Sequence, residues 1–157
     1  MEIKDIREVL VLVQLLPEQI SEYWDMIGDS IVKSMPPADF GSPNRMLNIL
    51  TLLLSSNMQC WFVMSAPEIT GENIVAIVTT VVQGGGPTEI KNLEVYTLFS
   101  RRELTKSLLS DAYGTLKKYA KSRDCYRIIA YSDVDRIINI AEELGGEAKY
   151  KFITMEV

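Results

Sequence analysis

A change of period two-thirds of the way along the chain constrains its fold more than any other feature. Three β-patterned runs, at residues 60–64, 74–83 and 92–99, follow one another across turns at 67–73 and 83–87. Rich in Val, Ile, Thr and aromatics and separated by Pro, Gly and Asn, they predict an antiparallel meander. The apolar positions then switch to helical spacing: Leu104, Leu108, Leu109, Ala112, Tyr113, Leu116, Tyr119 and Ala120 share one stripe. Ser100-Arg101-Arg102-Glu103 has the spacing of a capping box, so a long helix is predicted over 100–122. Gly84-Gly85-Gly86 reads as a hairpin tip rather than a phosphate cradle, because it joins two β-patterned runs and no helix follows it at once.

The flanking segments extend this frame. Residues 8–16, dense in Val and ending at Pro17, fit a first strand. From Pro17 onward Ile20, Tyr23, Trp24, Ile27 and Ile31 predict one helix, and after the breakers Pro36, Pro37, Gly41 and Pro43, Ser42 can cap a second one through Leu54. Residues 126–131 read as a buried strand, Val134 to Leu144 as a helix stopped by Gly145-Gly146, and 148–157 as a closing strand. The expectation is an α/β (α+β) fold in one domain over 1–157: a mixed, mostly antiparallel central sheet flanked by about four helices.

Composition narrows the chemistry. The 157 residues include no His and only two Cys, which excludes Ser-His-Asp hydrolysis, Cys-His proteolysis and His-ligated zinc, so no metal is expected. Sixteen basic against twenty-one acidic residues leave a formal charge of −5, which disfavours a nucleic-acid partner. No apolar run approaches the roughly 18 to 20 residues that span a bilayer, so no membrane partner is expected. Without a signal-like leader, Cys60 and Cys125 read as reduced thiols of a cytoplasmic protein.

The order strand, two helices, three meander strands, long helix, strand, helix, strand resembles the GNAT superfamily of acetyl-CoA-dependent N-acetyltransferases. The likeness spans nearly the whole chain. It is best where Cys125-Tyr126-Arg127-Ile128-Ile129-Ala130-Tyr131-Ser132, followed by Arg136 to Gly146, is similar to the family's fifth strand, fourth helix and Leu-Gly turn. The resemblance implies acetyl-CoA as cofactor and a small-molecule or protein amine as acceptor, with a homo-oligomer allowed. It implies Glu94, on the fourth strand, as the base that deprotonates the amine; the alternative is a solvent-facing strand carboxylate. Tyr131, at the end of the fifth strand, is the candidate acid for the leaving thiolate, or else an amphipathic packing residue. Arg101, Arg102 and Lys106 are candidates for the coenzyme phosphates, against a solvated helix face, and Ser107 falls where one alignment places a loop glycine.

Two family signals are missing. The glycines that let backbone N–H groups approach the pyrophosphate have no counterpart between Phe99 and Leu109, and the helical Tyr four residues before the Leu-Gly glycine is Ala141. These departures leave two main functional readings, an acetyltransferase and a binding or assembly module that has lost the coenzyme site, and behind them a small-ligand or regulatory domain that uses the same strand cleft for a non-acyl ligand.

Overall fold

A computed structural model describes residues 10–36, 39–41, 43–84, 86–103, 105–149, 153–155 and 157. Strands β1 (Val11–Gln14), β2 (Met58–Met64), β3 (Ile74–Gln83), β4 (Asn92–Ser100) and β5 (Arg127–Ala130) form one sheet in the order of the chain. The first three pairings are antiparallel, as a meander requires, and β4 pairs with β5 in parallel. The parallel step needs a crossover, which helix α4 (Lys106–Ser122) supplies. Helices α1 (Pro17–Glu22), α2 (Trp24–Ser34) and α3 (Arg45–Leu54) precede β2, and α5 (Asp135–Glu143) follows β5.

Both faces of the sheet are covered, which is why every residue of β2 is buried although its sequence hardly alternates. Its side chains still divide by parity. Cys60, Phe62 and Met64 pack with Ile27 and Ile31 of α2 and Ile49 and Leu53 of α3. Trp61 and Val63 pack on the other face with Leu108, Ala112, Leu116 and Ala120 of α4. Polar groups inside are paired: Trp61 donates its indole N–H to Thr80 Oγ1 at 3.0 Å, and that hydroxyl donates to Gln59 Oε1 at 2.9 Å. Among the described residues no helix is long and apolar enough to cross a membrane.

The expected first helix is divided. Tyr23 leaves helical geometry at φ −101° and ψ 16°, with its ring edge-on to Phe62 at a centroid distance of 5.6 Å, so α1 and α2 are separate and the helices number five among the described residues. Helix α3 is flanked by Asn44, not capped by a side chain, and the expected cap Ser42 lies outside the described residues.

The long helix starts later than 100. Ser100 still pairs with Ala76, and the Arg101 N–H bonds the Val75 carbonyl at 2.8 Å, so the sheet holds the backbone that the capping box would have used. Ser100 Oγ donates instead to the Arg102 carbonyl, and Glu103 takes an ion pair with Arg136 of α5 at 2.7 Å. The true cap is Thr105, whose Oγ1 accepts the Leu108 N–H at 3.1 Å; Leu104 lies outside the described residues. Thr105→Ala is therefore expected to destabilise the fold by about 1 kcal/mol in chemical denaturation, and Ser100→Ala by less. The reverse order would restore the earlier start.

Strand β5 is less buried than its apolar sequence suggests. Its residues are half-buried or exposed, and Tyr126 and Tyr131 at its ends are 78% and 55% exposed, because it is the last strand of the sheet. The expected first strand is present as β1 over Val11–Gln14, and each of the expected first and last strands is described only in part. Glu8, Val9, Tyr150, Lys151, Phe152 and Glu156 lie outside the described residues, and Ile153, Thr154 and Met155 are exposed and in no strand.

Candidate active site

The parallel ladder between β4 and β5 is short. It runs from Asn92 opposite Arg127 to Val95 opposite Ala130, where β5 ends while β4 continues to Ser100. The continuing half of β4 keeps its pairing with β3 and, among the described residues, has no strand on its other side. The sheet therefore opens at Val95.

A β-bulge marks the same place. Thr79 pairs with Thr97 and Thr80 with Val95, so Tyr96 has no opposite number on β3. The extra residue shifts the alternation. Tyr96 packs on the cluster beneath α2 and α3, and Thr97 turns to that same face, where its hydroxyl bonds the Thr79 hydroxyl. Two consecutive side chains on one side are what a bulge allows and a regular strand does not.

Glu94 precedes the opening by one residue. It is 6% exposed, so the reading of a solvent-facing strand carboxylate fails. Gln83, across the β3–β4 pair, donates its side-chain amide to Glu94 Oε2. Burial, and after it the negative charge of Asp39, push the carboxyl above its ordinary range, and the Gln83 hydrogen bond only partly offsets them. Asp39 belongs to the connection between α2 and α3 and accepts the Tyr96 hydroxyl at 2.6 Å. Burial and that carboxylate together hold the Tyr96 phenol far above its usual range, so Tyr96 stays a protonated donor. Arg45, the first residue of α3, donates to the Phe40 carbonyl of that connection at 2.7 Å.

The other candidates are dispersed. Tyr131 follows β5 directly and lies at the surface beside the opening. Lys106 opens α4 and pairs with Glu143 of α5 at 3.3 Å, and Ser107 beside it is half-buried. Arg102 is exposed in the β4–α4 connection. Arg101 donates from its guanidinium to the Gly71 carbonyl at 2.7 Å and lines a cavity against α2. Helix α4 thus collects Lys106 and Ser107 at its start, while Arg101 is turned to another part of the surface. Asp39, Tyr96 and Gln83 join Glu94 without any motif that marks them in sequence. Among the described residues, no group of three or more His, Cys, Asp or Glu is placed to hold a metal ion.

No protein-family model and no curated protein matches the sequence. Solved structures do match its fold. An aminoglycoside acetyltransferase from an uncultured soil metagenomic sample superposes at a TM-score of 0.67 and 14% identity, over 94% of this chain and 98% of the other. A predicted acetyltransferase from Clostridium acetobutylicum, solved with acetyl-CoA, gives 0.68 at 10% identity over 94% and 96%. Glucosamine-6-phosphate N-acetyltransferase from Arabidopsis thaliana gives 0.62 at 14% over 95% and 99%. With nearly full coverage in both directions, and a sheet that opens between a bulged fourth strand and a parallel fifth, the chain has the fold of the GNAT acetyltransferases.

Proposed function

We propose that this chain transfers an acetyl group from acetyl-CoA to an amine, with Glu94 as the base and the opening between β4 and β5 as the place of reaction. The observation that carries the reading is the position of Glu94: a buried carboxylate one residue before the sheet opens, with a carboxyl raised above the usual range. A base of that kind is a better proton acceptor than a solvated glutamate, and among the described residues no ion pair accounts for it.

Acetyl-CoA supplies the activated acetyl thioester. Glu94 takes the proton that the amine gives up as its nitrogen bonds the carbonyl carbon and the bond from that carbon to sulfur breaks. Tyr131, exposed directly after β5, is the proposed donor that returns a proton to the departing sulfur. Tyr96 is a poor candidate for that step, because its anion would form against the Asp39 carboxylate. Arg102, Lys106 and Ser107 fit the coenzyme phosphates: they gather at the N-terminal end of a 17-residue helix, where an anion is favoured. Lys106 and Glu143 are 59% and 58% exposed, so their ion pair is weak and yields to a phosphate. The Asp39 carboxylate near Glu94 favours acceptors that arrive as cations, small-molecule or protein amines alike, and a multiply charged amine suits it best. The aminoglycoside acetyltransferase among the structural neighbours supports that direction.

Calorimetric titration with acetyl-CoA and desulfo-CoA tests the reading. Side-chain cations here stand in for a row of backbone donors, and ordering each costs roughly 0.5 to 1.5 kcal/mol. Binding should accordingly be about 10- to 100-fold weaker than a glycine-lined cradle would give, and it should weaken further with added salt. Arg102→Ala with Lys106→Ala should abolish it. No heat at about 1 mM acetyl-CoA would overturn the proposal.

A further inference from the structure

A cavity of about 400 Å³ lies under α2 at the other end of β4 from Glu94. Phe99 is five residues further along the strand than Glu94, roughly 16 Å at the usual rise, so the cavity is a separate site. Its floor is apolar: half-buried Phe99, with the buried Ile77 paired beside it across β3 and β4, and half-buried Met26 of α2 above. Its rim is charged. Asp29 and Lys33, three and seven residues after Met26 on the same side of α2, form an ion pair at 2.8 Å. The Lys33 ammonium also stands 5.7 Å from the centroid of the Phe99 ring, which holds it at the mouth.

Arg101 closes the far side. Its backbone N–H on Val75 and one guanidinium N–H on Gly71 fix the stem and the plane of the group. A guanidinium carries five N–H donors. The remaining ones make no hydrogen bond to the described residues, so a planar fork is presented ready-made for a carboxylate or phosphate. The rim charges are two positive and one negative, in a chain whose formal charge is −5. Asp29 and Lys33 neutralise each other, which leaves the Arg101 charge in excess.

We propose that this cavity binds a small organic anion, its aromatic or branched body on Met26 and Phe99 and its carboxylate or phosphate on Arg101 beside Lys33. An anion is favoured over a cation by the excess positive rim. An organic anion is favoured over inorganic phosphate by the floor, which a bare ion would leave wet. Covering that floor should add about tenfold or more in affinity. The coenzyme is not the occupant, because the start of α4 that would hold its phosphates belongs to the helix on the opposite face of the sheet.

Titration of the whole protein with phenyl phosphate, benzoate and inorganic phosphate, followed by two-dimensional NMR, tests the assignment. Saturable binding of phenyl phosphate or benzoate is expected at about 1 mM or below, with shifts at Met26, Ile77 and Phe99, and inorganic phosphate about tenfold weaker. Arg101→Gln and Lys33→Gln should each weaken it by about fivefold or more, and Asp29→Asn should strengthen it. All three positions lie at the surface, and unchanged spectra of the remote core will show that the variants fold. Failure of both organic anions to saturate by about 20 mM would overturn the proposal, as would binding that survives the Arg101→Gln, Lys33→Gln double variant. Displacement of phenyl phosphate by acetyl-CoA would likewise overturn it, by merging this cavity with the coenzyme site; a failed acetyl-CoA titration alone leaves it standing.

Discussion

Glu94→Gln is expected to lower turnover at saturating acetyl-CoA by roughly 10²-fold or more, and to make the fold more stable than the parent at alkaline pH. Both effects come from one proton. A glutamine of the same shape keeps a carbonyl oxygen for the Gln83 amide, so the packing around position 94 is preserved. It cannot accept the proton of an amine, so under the proposed mechanism the chemical step should lose its base while coenzyme affinity stays nearly the same. The stability effect follows from the raised carboxyl. When the folded-state pKa lies above the unfolded one, the contribution of Glu94 is fully present below the unfolded pKa and is lost as the pH rises through the folded pKa. The parent therefore carries the cost of an ionised buried carboxylate at high pH, and the Gln variant does not. Denaturation midpoints of the two proteins should converge in acid and separate in alkali, with the variant ahead. Activity of the parent should rise with pH through a pKa above the ordinary glutamate range. Equal turnover in the variant would remove Glu94 from the chemistry. A variant less stable at every pH would instead mean that the carboxylate serves the fold.

Features with a local period were legible in the sequence, and those that depend on partners far along the chain were not. The stripe from Leu108 to Ala120 shows one face of α4 because helical spacing reads directly into packing, and those residues do cover the sheet. The start of the same helix was misplaced for a physical reason. Ser100 and Glu103 satisfy the capping rule locally, but the ladder to Ala76 and the bond from Arg101 to Val75 claim the backbone first. The family resemblance points to Glu94 on the fourth strand, but its burial does not follow from the sequence, because a carboxylate on a strand reads equally as solvent-facing. That face is instead covered by α2 and α3. The bulge is a further obstacle, since one extra residue puts Tyr96 and Thr97 on the same side where period-two reading separates them. Asp39 lies 57 positions from Tyr96, within a turn-rich stretch that nothing distinguishes from an ordinary loop. Only the fold brings it to the bulge, and with it the charge that helps raise Glu94.

Phe62→Ala should cost about 3 to 5 kcal/mol of stability. Phe62 is fully buried on β2, hydrogen-bonded to β1 on one side and β3 on the other, so the backbone around it cannot close over a hole. Its ring meets Tyr23 edge-on at the break between α1 and α2, a contact whose loss adds roughly 0.5 to 1.5 kcal/mol beyond the buried area. The same cluster carries Ile27 and Ile31 of α2 and Ile49 and Leu53 of α3, the two helices whose connection brings Asp39 to Tyr96. A cavity there should loosen the face that holds Asp39, while the Trp61 face, packed on α4, keeps its contacts. Phe62→Leu, which retains most of the volume, should cost less than about 1.5 kcal/mol and leave that arrangement intact. Urea denaturation of both variants measures the difference. A loss below about 1 kcal/mol for Phe62→Ala would mean that α2 and α3 do not rest on this face as described, and the placement of Asp39 beside the bulge would fall with it.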